Sequence, residues 1–114
     1  MATGMLVVEL WTAEAIGTGV TKTTAAIDIA KLGAAAVHVT ALTGTTPDVT
    51  FTYTLSNSRA GTYVAGEATI KANANSAGIH DFSPEAGRFI KILAKNNSGA
   101  NIATLTAQLA VQES

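Results

Sequence analysis

The chain has 114 residues, 47% of them apolar and only 13% charged, with seven Lys and Arg against eight Asp and Glu. A length of this order fits a single domain, 1–114, burying roughly 65% of its unfolded surface, and the apolar share excludes a disordered tail. The near-neutral balance argues against a phosphate-tracking nucleic-acid binder, and the absence of cysteine excludes thiolate metal ligands, thiol nucleophiles and disulfides.

At the N-terminus, Met5-Leu6-Val7-Val8 is apolar but stops at Glu9, with no basic residue ahead of it. A signal peptide needs a positive start and a longer apolar core, and a membrane span needs about 20 apolar residues. Neither is expected here. Leu6, Val8 and Leu10 alternate with Val7, Glu9 and Trp11, which predicts a first strand with Trp11 on the face of Glu9. Residues 1–12 are read as an N-terminal arm or edge strand used in assembly.

Gly17-Thr18-Gly19 reads as a turn, and Ile27 and Ile29 flank Asp28 in the next extended run. Val37, Val39 and Ala41 then alternate with Ala36, His38 and Thr40. The cleanest signal lies further on, where Val49, Phe51, Tyr53 and Leu55 alternate with Thr50, Thr52, Thr54 and Ser56. Large apolar side chains taking turns with hydroxyls describe a strand with one face in a core and one in water. Thr is also stiff at its branched Cβ and favours extended backbone.

A weaker extended run covers Thr62 to Lys71, followed by a polar, small-residue loop, Asn73-Ala74-Asn75-Ser76-Ala77-Gly78. Ile90 and Ile92 alternate with Phe89, Lys91 and Leu93, and Leu105, Ala107, Leu109 and Val111 close the chain against Thr104, Thr106, Gln108 and Ala110. Turn formers separate the runs, notably 44–48, 57–61, 83–87 and 96–101. About seven to eight short strands at this spacing predict an all-β fold, an antiparallel β-sandwich or jelly roll. Helix competes in two places, the Ala-rich stretch 23–36 and the spacing of Ile102, Leu105 and Leu109.

Side chains able to do chemistry are few. His38 falls mid-strand, pointing outward beside Thr40, and His80 is followed by Asp81, whose strand neighbour's geometry is poor for orienting an imidazole. Asp28, Asp48, Asp81 and Glu85 are scattered singly, without the close spacing of a calcium loop. Glu85, after Pro84, reads as the middle of a turn. No Gly-x-Ser-x-Gly elbow occurs, and Gly17-Thr18-Gly19 lacks the third glycine and lysine of a phosphate cradle. Asn96-Asn97-Ser98 matches a glycosylation triplet that arises readily by chance. No catalytic, metal or cofactor residue is assigned, and no enzyme activity is expected.

Arg88, Lys91 and Lys95 form a local basic cluster around Phe89. The plain reading is a wet strand face whose lysines discourage edge pairing. Trp11, the sole tryptophan, suits a core anchor, an interface hot spot or a sugar platform.

The order of Ala26-Ile27-Asp28-Ile29, then Val49 through Ser56, Thr62-Tyr63-Val64, Phe82 through Ile92, Asn96-Asn97-Ser98-Gly99 and a closing strand to Gln112 is similar to small β-sandwich virion proteins of tailed bacteriophages. The nearest role is that of capsid decoration (cement) proteins. Arg88-Phe89-Ile90-Lys91-Ile92 followed by Asn96-Asn97-Ser98-Gly99 also resembles strands of carbohydrate-binding and discoidin-like sandwiches. The resemblance implies a non-enzymatic protein of the virion surface, partnered with the major capsid protein lattice and assembled as a homo-oligomer, with a trimer the natural guess for a lattice three-fold. The interface would draw on Leu6, Val8, Leu10 and Trp11, since an apolar first strand can pair with a neighbouring sheet edge. The alternative expectation is a carbohydrate-binding or adhesion module using Trp11, Tyr63 and Phe82.

Overall fold

The computed structural model describes residues 5–29, 32–67, 70 and 74–113. Every regular element among them is a strand: β1 (Met5–Ile16), β2 (Thr21–Thr23), β3 (Ile27–Asp28), β4 (Leu32–Thr43), β5 (Val49–Ser56), β6 (Val64–Ala65), β7 (Gly78–Phe82), β8 (Phe89–Asn96) and β9 (Ala103–Glu113). They form two antiparallel sheets. The first runs β1-β9-β4-β7, and the second β2-β8-β5-β6 with β3 also paired to β8. The inner faces pack on each other as a β-sandwich, the fold class that alternation predicted.

The core follows from that alternation. Val49, Phe51 and Tyr53 on β5, Ile90, Ile92 and Ala94 on β8, and Leu105, Ala107, Leu109 and Val111 on β9 are all buried. Between the sheets Trp11 stacks on Phe51 with ring centroids 6.4 Å apart, and Tyr53 meets Phe82 at 5.0 Å. Leu105 and Leu109 have helical spacing, but Ala107 and Val111 are buried with them, so period two wins over 3.6. The helical alternative for residues 23–36 likewise gives way to strand from Leu32 onward.

Simple alternation fails where a strand bulges. Opposite Ala107, β4 shifts register between Val39 and Ala41, and β1 shifts between Glu9 and Trp11. Each shift inserts one residue and turns the following side chains to the other face. Ala41, expected inside with Val37 and Val39, is therefore exposed, while Leu42 packs against the core. Trp11, expected on the face of Glu9, points inward instead.

Other departures concern short elements. Of the extended run expected over Thr62 to Lys71, only Val64–Ala65 forms a strand, while residues 68, 69 and 71 lie outside the described residues. The run expected at Ile27–Ile29 shrinks to the two-residue β3, and β2 and the five-residue β7, which alternation did not show, bring the strands among the described residues to nine. No helix is long and apolar enough to cross a membrane among the described residues.

Candidate assembly surfaces

β1 is an edge strand twelve residues long, paired among the described residues only with β9. Its two halves differ. From Met5 to Glu9 the register is continuous and only Glu9 is charged. Beyond it two register shifts, and Ala13 at φ 46°, twist the edge away from regular geometry. Bulges and charges are the usual means of blunting an edge against further pairing. The C-terminal half is blunted; along the N-terminal half no strand among the described residues pairs with the outer edge.

Of the four interface residues read from the sequence, Leu6, Val8 and Leu10 are half-buried against the core of their own chain. Trp11 is 7% exposed and serves as a core anchor. Alternation therefore puts different side chains on the surface: Met5 is 64% exposed and Val7 56%.

These two belong to a larger outer face. Cross-strand pairing aligns Val7, Ala110, Ala36 and Asp81 in one row, and Glu9, Gln108, His38 and Ile79 in the next. Ala34, Ala36 and Ala110 floor a shallow open groove of about 440 Å³, with Met5, Ile79, His38 and Asp81 around it. Ile79 is 54% exposed. Glu9 is held by Gln108, whose Nε2 donates to it at 2.9 Å, and by the Thr12 hydroxyl at 3.0 Å.

The outer face of the second sheet has another character. Phe89, Lys91, Leu93 and Lys95 alternate outward along β8 beside Thr54, Thr52 and Thr50 of β5. β8 lies between β2 and β5, so its lysines sit mid-sheet and do not guard an edge as expected. Arg59 and Arg88 cover the Phe89 ring at 4.7 and 5.4 Å, and Lys91 lies 4.2 Å over Tyr63. Cations lie on aromatic faces because the ring quadrupole attracts them.

The groups considered for chemistry are spread apart. His38 is on the outer groove, whereas His80 lies between the sheets, its ring 5.8 Å from Phe51. Among the described residues no three His, Asp or Glu side chains gather to hold a metal ion. Asn96 is fully buried: its Nδ2 donates to the carbonyls of Ile16 and Asn101 at 3.0 and 2.9 Å, and its Oδ1 accepts from the Ser98 amide. The triplet that resembled a glycosylation site is thus a buried clamp joining β1, β8 and the following loop.

Glu85 is a second clamp. The Tyr53 hydroxyl donates to Oε1 at 2.5 Å and the Glu67 amide to Oε2 at 2.7 Å. The Tyr53 bond first, then the Glu67 amide, holds its carboxyl below the ordinary carboxylate range. The sequence showed a turn here, because nothing local links Glu85 to a strand thirty-two positions earlier.

Stacking platforms are scarce. Trp11, Phe51, Tyr53, Phe82 and Phe89 are all buried, so Trp11 and Phe82 do not offer the exposed rings a sugar site would use. Tyr63 is half-buried beneath Lys91.

No family model matches the chain, and neither does any curated protein sequence. Solved structures do: the crystal structure of the SPBc2 prophage-derived protein YomS is similar over 99% of this chain and 96% of its own, with a TM-score of 0.56 and 12% identity. At that identity the likeness is one of fold, extending over nearly the whole of both chains.

Proposed function

We propose that this chain is a non-enzymatic structural protein of a tailed-phage particle, bound to the capsid lattice as a decoration protein. What carries the reading is the distribution of apolar side chains. The interior is filled by close-packed aliphatic and aromatic groups, while three of the six large apolar side chains left exposed among the described residues, Met5, Val7 and Ile79, share one broad sheet face. Apolar side chains sharing one face, with small alanines between them, suit a contact surface. The fold likeness to a prophage-derived protein supports a phage context.

Strand order supports it too. With β2 and β3 counted as one interrupted strand, the order β1-β9-β4-β7 over β2-β8-β5-β6 supports reading the sandwich as a jelly roll, an architecture common in viral capsids. The decoration role also draws on the sequence resemblance. On a lattice, the open half of β1 would add to a neighbouring sheet edge, and Met5, Val7 and Ile79 would cover apolar seams. At about 25 cal/mol per Å² of apolar area, a modest seam repeated over many copies adds substantial resistance to opening. A trimer at lattice three-folds is the assembly this role favours.

Cryo-electron microscopy and quantitative mass spectrometry of purified particles from the host carrying the gene test this. The protein is expected on the outer capsid surface in fixed ratio to the major capsid protein. Its absence from particles, while present in the lysate, overturns the proposal.

A further inference from the structure

The overall charge of −1 conceals an uneven distribution of Lys and Arg between the two sheets. β1, β4, β7 and β9 contain no Lys or Arg, and their outward face presents Glu9 and Asp81. The second sheet's outward face presents Arg59, Arg88, Lys91 and Lys95 against two carboxylates, Asp28, paired to Arg88 at 3.5 Å, and Asp48, which shares the Asn97 amide with Thr50 beside Lys95, so cations remain in excess. We propose that these faces are complementary docking surfaces, and that the partner is a second copy of this chain: the first sheet of one copy stacks on the second sheet of the next.

Shape and spacing fit as well as sign. Glu9 and Asp81 lie on the outermost strands, β1 and β7, three ladder steps apart and two residues offset along the strands. At about 4.8 Å per step and 3.3 Å per residue, that separates them by about 16 Å. Lys91 and Lys95 are four residues apart on β8, about 13 Å. Lysine stems take up the difference, so β8 of one copy crosses the other's strands with both ion pairs formed.

Between the lysines lies half-buried Leu93, in a row with Thr23 and Thr52. This low strip faces the trough floored by Ala34, Ala36 and Ala110, with Met5 and Ile79 at its sides and Val7 on the strand beside Ala110. Stiff threonines and alanines lose little side-chain entropy on being covered. Glu9, fixed by Gln108 and Thr12, is already ordered for a partner's cation.

The contact joins two different faces, so it is heterologous and propagates: each copy retains one free face until a ring closes. Because it is rim-charged and solvent-accessible, it weakens with salt. It forms in the isolated protein, where no capsid lattice competes for the Met5, Val7 and Ile79 face.

The experiment is a charge swap on the full chain, followed by sedimentation velocity at low and high salt. One variant reverses the acidic face (Glu9→Lys with Asp81→Lys), the other the basic face (Lys91→Glu with Lys95→Glu). All four side chains lie on outer faces, and circular dichroism checks that the sheet signal is retained. The wild type is expected to associate at low salt and dissociate at high salt. Each variant alone should associate at least tenfold more weakly, and an equimolar mixture should regain assembly with alternating composition. A wild type that stays monomeric at low salt overturns the proposal, as do variants that associate as the wild type does, which would point to β1 edge pairing. A monomer that binds a polyanion such as heparin through Lys91 and Lys95 overturns it in favour of an anionic polymer.

Discussion

The two sheets are built by different means. In the first, β1, β4 and β9 run eleven or twelve residues each, and β9 is held on both sides by long antiparallel ladders. Its interior is mostly aliphatic: Ile16, Val37, Val39, Leu105, Leu109 and Val111. In the second, β2, β3 and β6 have three residues or fewer, and side chains complete what backbone pairing leaves undone. Asn96 ties the ends of β1 and β8, and Glu85 ties Tyr53 to the backbone beyond β6. The first sheet rests on many weak, repeated contacts; the second on a few specific ones.

The largest effect should come from the first sheet's interior. Leu105→Ala, at a fully buried position flanked by both neighbouring strands, is expected to cost about 3 kcal/mol in urea unfolding. A loss below about 1 kcal/mol would mean that this layer repacks freely. Next comes the clamp at the sandwich end. Asn96→Ala leaves the buried Ile16 carbonyl, the partly buried Asn101 carbonyl and the Ser98 amide without their side-chain partner and should cost about 2 kcal/mol.

A smaller effect is expected where Gly66 lies over Tyr53. A Cβ at Gly66 would sit 2.0 Å from the Tyr53 ring, so Gly66→Ala must move ring or backbone, at about 1–2 kcal/mol. Hydrogen exchange should show the loosening around β6 while β9 keeps its protection. A change spread evenly over both sheets would erase the contrast between them.

The smallest effect is set by pH. Glu85 has a depressed folded pKa, so its contribution is full above the ordinary carboxylate value of 4.5 and fades as pH falls through the lower folded value. Thermal unfolding of the wild type should lose stability over that acid window, and Glu85→Gln should flatten that part of the profile. An identical acid slope in the variant would show that the Tyr53–Glu85 bond contributes nothing.

The contrast also explains what was legible in the sequence. Long strands advertise themselves by alternation, and Val49 to Tyr53 and Leu105 to Val111 point where period two says they should. The bulges opposite Ala107 were not legible, since an inserted residue is set by pairing with another strand, and so Trp11 and Ala41 were assigned to the wrong faces. β2 is too short to show any period, and β3 and β6 showed only as weak extended runs around Asp28 and within 62–71. The clamps were hidden for a related reason: Asn96 and Ile16 are eighty positions apart, and only the fold brings them together. The charge segregation could not be read either, because outwardness and sheet membership both depend on topology.

What the molecule offers its surroundings, on this account, is a pair of unlike faces around an inert interior. Amide chemical shifts of the full chain, followed as concentration rises in low salt, test that directly. Shifts should concentrate on outward positions of both sheets, Val7, Ile79 and Asp81 on one and Lys91, Leu93 and Lys95 on the other, while His80 and Leu105 stay unmoved. Shifts confined to the β1 edge, or centred on His80 between the sheets, would contradict it.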